Sequence, residues 1–355
     1  MARRKTPTET PEWVNELPAR RQRYWAELLE ERVNKGVNKP WGYLEEEVTT
    51  AELYGAVIGY YGSLEKASGW TENTREELVE FYQSWQDPET GRFHTPNQLD
   101  RSCNEKYVIA ILEMFDAKPL YPWTTTSATG KIDVRIFVEQ TLDDPDWEQG
   151  GWGVGSGTGY MALEIFQALN DGQPEFIPDL EQGIANILSY QDPAAGLWGP
   201  PSAPLGMRIG GTLKVIGRFG FYLGMRIPYM KELADSLIAH QNHGDWKSGA
   251  QQFDECVLRN AVEMVAFCLE ASDYRRDTLH ATMQGMVIDM RMFDTTDRRR
   301  GTIEYACGIA ADYLNWQGCV LDNPTRNFDR GLSYKYKLDL QPDGKSVRVV
   351  AQNFQ

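Results

Sequence analysis

A chain of 355 residues, 41% hydrophobic, 12% aromatic and 25% charged, carries enough apolar material to bury a sizeable core in one large domain or two ordinary ones. With 51 acids against 36 bases its net charge is −15, and so acidic a surface repels phosphate backbones and anionic lipid, so neither nucleic acid nor a membrane is an expected partner. No run of 18 uncharged apolar residues occurs, and no helix is expected to span a membrane.

The N-terminus, MARRKTPTETPEWV, is basic and polar without the apolar core of a secretory signal, which makes the cytoplasm the expected location. Further along, VNKGVNKPWGY at 33–43 is the first of six loops rich in Gly, Asp and aromatic residues. The others are SWQDPETGRFHT at 84–95, LDDPDWEQGGWG at 142–153, SYQDPAAGLWGP at 189–200, QNHGDW at 241–246 and MFDTTDRRRG at 292–301, recurring at roughly 50-residue intervals. The second and fourth share one phrase, Gln-Asp-Pro-x-x-Gly-x-aromatic, at Gln86–Phe93 and Gln191–Trp198. A period of this size marks a repeat architecture, in which one unit cannot bury its own apolar face.

Between the loops the pattern is helical. Val108, Ile109, Leu112 and Phe115 share a face within 98–116, and the same periodicity runs through 177–190, 227–240, 252–270, 273–293 and 302–317. Thr49–Glu52 and Thr74–Glu77 read as capping boxes, and Pro228 stands at the head of a helix. Two helices per period give about twelve in all. IPYMKELADSLIAHQ at 227–241 is amphipathic, whereas CVLRNAVEMVAFCLEA at 256–271 is more uniformly apolar, as expected of an outer, half-exposed ring around an inner, buried one. Six such pairs close into an all-α (α/α)6 toroid, one domain over 1–325. The tail YKYKLDLQPDGKSVRVV at 334–350 alternates with period two about Pro-Asp-Gly, which predicts a β-hairpin appendage within 326–355. The five cysteines, without a CxxC, are expected as reduced core thiols.

The phrase Gln-x-x-x-x-Gly-x-Trp at 191–198, with QNHGDW at 241–246, resembles the Gln-Trp repeats of squalene and terpenoid cyclases and the related protein prenyltransferases. The resemblance implies the toroid of those families. Many glycoside hydrolases, polysaccharide lyases and sugar epimerases use a similar six-pair toroid, so the chemistry stays open. Asp254-Glu-Cys256 is similar to the Asp-x-Cys that holds zinc in protein prenyltransferases, where a His on the following inner helix completes the set. TIEYACGIA at 302–310 offers Glu304 and Tyr305 there but no His, so no zinc and no other metal is expected. The Asp-x-Asp-Asp acid of the cyclases is also missing: LDDPD at 142–146 and FDTTD at 293–297 depart from it.

Several groups are candidates for chemistry. DDPDWEQGGWGVGSGTGY at 143–160 reads as a ligand loop, with Asp146, Trp147, Trp152 and Tyr160 at a saccharide rim and a glycine run that lets backbone approach closely. It contains no phosphate-binding fingerprint, and no nucleotide or other cofactor is expected. Trp41, Phe93, Trp152, Trp198 and Trp246 occupy comparable places in the repeated loops. Such rings either stitch neighbouring helix pairs together or stack on a ligand. His94 adjoins one of them.

Acids at the heads of inner helices, Asp100 and Glu105, Asp254 and Glu255, and Glu304 beside Tyr305, offer the pair of carboxyls that glycoside hydrolysis needs, or else act as helix caps. Arg208, Lys214 and Arg218 on GMRIGGTLKVIGRFGFYLG either join an internal salt-bridge network or clamp a substrate carboxylate. The clamp implies a uronate, with Tyr160 or Tyr305 as the base of a β-elimination.

The leading expectation is a glycoside hydrolase acting on a small oligosaccharide, with Asp254 or Glu255 and Asp100 or Glu304 as acid and base. A uronate lyase or sugar epimerase is the close variant. The alternatives are a terpenoid cyclase- or prenyltransferase-like enzyme on an isoprenoid, and a non-catalytic binding toroid.

Overall fold

In the computed structural model the described residues are 8–17, 19–20, 23, 72–89, 93, 112, 116–121, 134–170, 172–243, 254–291, 300–321 and 335–352. They are mostly helical. The chain divides into two compact units, one formed by Met1–Thr124 with Arg291–Gly331 and the other by Thr125–Met290 with Leu332–Gln355.

The second unit is the more fully described. Its helices are α2 (Val134–Asp143), α3 (Trp152–Asn170), α4 (Ile177–Ser189), α5 (Leu205–Val215), α6 (Met230–His243), α7 (Asp254–Ala271) and α8 (Arg276–Met290); α1 (Glu72–Gln83) and α9 (Arg300–Leu314) belong to the first unit. Alternate helices form two layers. In one, α3 packs on α5 and α5 on α7; in the other, α2 packs on α4 and α6 on α8. The expected contrast between layers is present. On α7 every described side chain from Cys256 to Leu269 is buried except Cys256, Arg259 and Glu263, which share one face at i, i+3 and i+7. On α2 only Val134, Phe137 and Thr141 are buried, while Ile136 and Leu142 stand in solvent. Phe137 packs so tightly on α4 that a methyl at Gly183 would collide with its ring.

The repeated phrase builds the same device twice. Gln86 bridges Phe93, and Gln191 bridges Trp198, each as an isolated antiparallel pair. The proline-turn aspartate closes the loop in both: Asp87 Oδ1 accepts from Glu89 N (2.7 Å) and Asp192 Oδ1 from Ala194 N (2.9 Å). The glutamine then reaches to backbone far ahead in the chain. Gln86 Nε2 donates to Tyr121 O (2.8 Å) and its Oε1 accepts from Tyr121 N (2.9 Å). Gln191 Nε2 donates to Gly196 O (2.8 Å) and to Pro228 O (2.9 Å), just ahead of α6. The glycine of the phrase has a reason too. Gly196 has φ +69°, and a methyl there would collide with the Leu233 backbone, where α6 docks and Ser236 Oγ donates to Ala195 O (2.8 Å).

The glycine run at 150–159 departs from the expected ligand loop. Only Gly150 and Gly151 (φ +110° and +74°) form a turn; Gly153, Gly155, Gly157 and Gly159 lie inside α3. Each is a poor helix former, and only at Gly159 does the neighbouring helix leave no room for a side chain; nothing lies within 4 Å of Gly157. Methyls at Gly210 and Gly211 of α5 would strike the Trp152 ring and Gly150 O, and one at Gly159 would lie 2.6 Å from Arg218 Cγ. Beyond Val215, α5 widens into a π-helical segment, Ile216–Tyr222.

The tail forms the expected hairpin, β3 (Tyr336–Leu340) with β4 (Val347–Ala351) in antiparallel register. It is pinned to α4, where Glu181 Oε1 accepts from Val349 N (2.9 Å), and to the π segment's end, where Leu338 N donates to Leu223 O (3.2 Å). In the first unit a two-residue parallel pair that periodicity does not predict, β1 (Thr8–Glu9) with β2 (Trp316–Gln317), joins the chain's start to the segment after α9. In the same unit α1 starts at Glu72, ahead of the predicted cap at Thr74; the other predicted box, Thr49–Glu52, lies outside the described residues. Cys268 and Cys307 are buried thiols, and burial pushes the Cys268 thiol up to about 12. Cys256 and Cys319 are half-buried, and Cys103 lies outside the described residues.

Candidate functional site

Two of the aromatic side chains considered for a saccharide rim, Trp147 and Trp198, are structural. Trp147 is wholly buried, its Nε1 donates to Gln140 O (3.0 Å), and its ring stacks on Tyr190 with centroids 5.1 Å apart. Trp198 is wholly buried as well, with Nε1 donating to Ile187 O (2.8 Å). Neither ring has a face for a ligand, and both act as stitches, which corrects their assignment to a rim. Asp146 is the cap of α3: its Oδ2 accepts from Val154 N (2.8 Å), filling a donor that the first helical turn leaves open. Trp152 is half-buried, spread over Gly210.

Arg208 is also spoken for. It is 7% exposed, and its Nη2 lies 2.8 Å from Asp192 Oδ2 in an ion pair whose side chains are 8% and 12% exposed. It therefore fastens α5 to the repeated loop and does not clamp a substrate carboxylate, the internal salt-bridge alternative of the two. His94, Asp100, Glu105, Trp41 and Trp246 lie outside the described residues. Asp254, Glu255 and Tyr160 sit on described backbone, the first two in the opening turn of α7 and Tyr160 midway along α3, with their side chains outside the described set.

Further polar groups stand on helices otherwise made of small or apolar residues. In the first unit, Glu304 on α9 is 4% exposed, among Ile303, Ala306 and Cys307, and Tyr305 beside it is half-buried. In the second unit, the layer of α3, α5 and α7 carries Ser156 on α3, Lys214 and Arg218 on α5 and its π continuation, and Arg259 and Glu263 on α7. Arg259 is steadied by its neighbour Asn260, whose Oδ1 accepts from Nη2 at 2.7 Å. Arg259 and Glu263 escaped the sequence reading. The signal that finds them is their spacing with Cys256, three breaks in an apolar helix that fall on one face.

Among the described residues no three His, Cys, Asp or Glu side chains cluster as metal ligands, and no helix is long and apolar enough to cross a membrane. No protein-family model, curated protein or solved structure matches the chain.

Proposed function

We propose that the two-layered helices belong to a closed (α/α)6 toroid and that the protein is a carbohydrate-active enzyme hydrolysing a glycosidic bond by acid–base catalysis. Glu304 carries this reading: a carboxyl only 4% exposed on an apolar helix. In this mechanism Glu304 delivers its proton to the leaving glycosidic oxygen. A second carboxyl either activates water or attacks the anomeric carbon, depending on the separation of the two groups. Uronate elimination or epimerisation is the close variant, with Tyr305 as the base.

A panel of oligosaccharides assayed for reducing-end release tests the proposal. E304Q is expected to lower turnover at least about 100-fold, the ordinary contribution of a general acid, with the melting temperature within a few degrees of the parent. Parental turnover in E304Q overturns it.

A second reading, an enzyme acting on an isoprenoid, is favoured by the two Gln-to-backbone stitches, since the phrase that makes them is the one resembling the Gln-Trp repeats of the cyclases. It calls for an apolar pocket rather than a polar one, and polyprenyl diphosphates with and without magnesium belong in the same screen.

A further inference from the structure

We infer that the C-terminal hairpin is a strap: docked, it holds the end of α5 in its π-helical form, and released, it frees that end to open. This coupling goes beyond the proposal above and does not depend on it.

π-Helical pairing is rare, mostly confined to a single turn and frequent at functional sites, yet here it runs from Ile216 to Tyr222. The sequence IGRFGFY does not choose that form, because two glycines and four β-branched or aromatic residues are weak helix formers. Packing on α7 accounts for part of it. A methyl at Gly220 would lie 2.7 Å from the Phe267 ring, whereas nothing lies within 4 Å of one at Gly217. A form that local preference leaves unsettled is set by its contacts.

The end of the segment shows which contact matters most. Phe219 O accepts from Met225 N (2.8 Å) and Gly220 O from Gly224 N (3.0 Å), with Gly224 at φ +66° in the left-handed turn that commonly closes a helix. Leu223 O lies past those bonds, on a residue 2% exposed, where an unfilled carbonyl is costly. The donor it receives is Leu338 N of β3 at 3.2 Å, and the Leu338 residue is likewise 2% exposed.

That bond and the hairpin's other anchor form one rung. Leu338 is paired with Val349 across the hairpin. From the opposite edge Val349 N donates to Glu181 Oε1 of α4 (2.9 Å), while Arg348 Nη1 donates to Glu181 Oε2 (3.3 Å). A single rung thus ties a carboxylate of α4 to the carbonyl that ends the π segment. The strap is lightly held. Among the described hairpin residues only Leu338 and Val347 are buried hydrophobics, and the Arg348 side chain is 67% exposed. A two-stranded hairpin is marginal on its own, and elements with few buried contacts open ahead of the rest. Loss of Glu181 therefore releases Leu338 and takes the donor from Leu223 O. Arg218 and Phe219, 7% and 0% exposed, lie in the segment so held, and their positions follow the state of the hairpin.

The test is hydrogen–deuterium exchange of the full-length protein, read peptide by peptide by mass spectrometry. E181A should speed exchange at least about tenfold across 335–352 and across 216–224, and leave 256–270 as in the parent. E181Q, which keeps an oxygen for Val349 N, should speed it less. R348D sets a second carboxylate against Glu181 from an exposed position on the hairpin and should reproduce the E181A pattern. It gives the answer should E181A loosen α7 as well. Faster exchange in 335–352 with 216–224 as slow as in the parent overturns the strap, as does a hairpin unmoved by both variants. A rise in R348D that spreads to 256–270 overturns it too, since the hairpin would then brace the whole unit and not the π end.

Discussion

The two copies of the Gln-Asp-Pro phrase do one job with different strength. In the first unit, Gln86 and Tyr121 exchange both amide bonds, and Tyr121 is 37% exposed. In the second, Gln191 and Trp198 are buried, Asp192 is ion-paired with Arg208, and the glutamine gives both its N–H bonds to carbonyls. One difference follows from a single residue. Where the first copy meets Tyr121 N, the second meets Pro228, which has no N–H to give. Gln191 Oε1 is accordingly buried without a hydrogen bond. A repeat keeps its geometry while the chemistry of each copy drifts toward its surroundings.

The largest test is on Asp192. D192N removes one charge of a buried pair and is expected to cost about 3–5 kcal/mol, read from urea unfolding. A cost below about 1 kcal/mol would mean that Arg208 is no anchor. The glutamines come next. Q191A orphans two carbonyls and should cost about 2–4 kcal/mol; Q86A, whose partner Tyr121 is 37% exposed and can turn to water, should cost about 1 kcal/mol. The smallest effect is P228A. The new N–H can bond Gln191 Oε1, worth about 1 kcal/mol. Losing proline's restriction of the unfolded chain gives back about 0.4–1 kcal/mol. The single variant should therefore lie near the parent, with the bond visible as a coupling of about 1 kcal/mol between P228A and Q191A in a double-mutant cycle.

The phrase itself was legible because its chemistry is local: a proline turn, an aspartate that closes it and a glycine at positive φ follow from residue type alone. A mostly buried helix and a half-exposed one were legible from periodicity, as α7 and α6 show. The run GVGSGTG was read in the opposite sense. By propensity it is a loop, and the close approach of the Arg218 stem to Gly159 is a tertiary contact that no local pattern announces. Arg208 was misassigned for a related reason: its partner Asp192 lies in a loop 16 residues earlier, and no sequence spacing announces that ion pair. Trp147 and Trp198 looked like rim residues because an acidic or glycine-rich neighbourhood does not reveal on which side of the backbone a ring ends up.

The short ladder joining Thr8–Glu9 to Trp316–Gln317 has a consequence for biosynthesis. The first unit is discontinuous, and residues 125–290 are made between its two segments. At about 5–20 residues per second, the early segment waits on the order of ten to thirty seconds for its later partner to leave the ribosome. The helical layers of the second unit are complete before that, apart from the hairpin. The N-terminal segment thus depends longest on being kept from aggregating, and a clamp of two residue pairs spanning some 300 positions is among the last contacts to close.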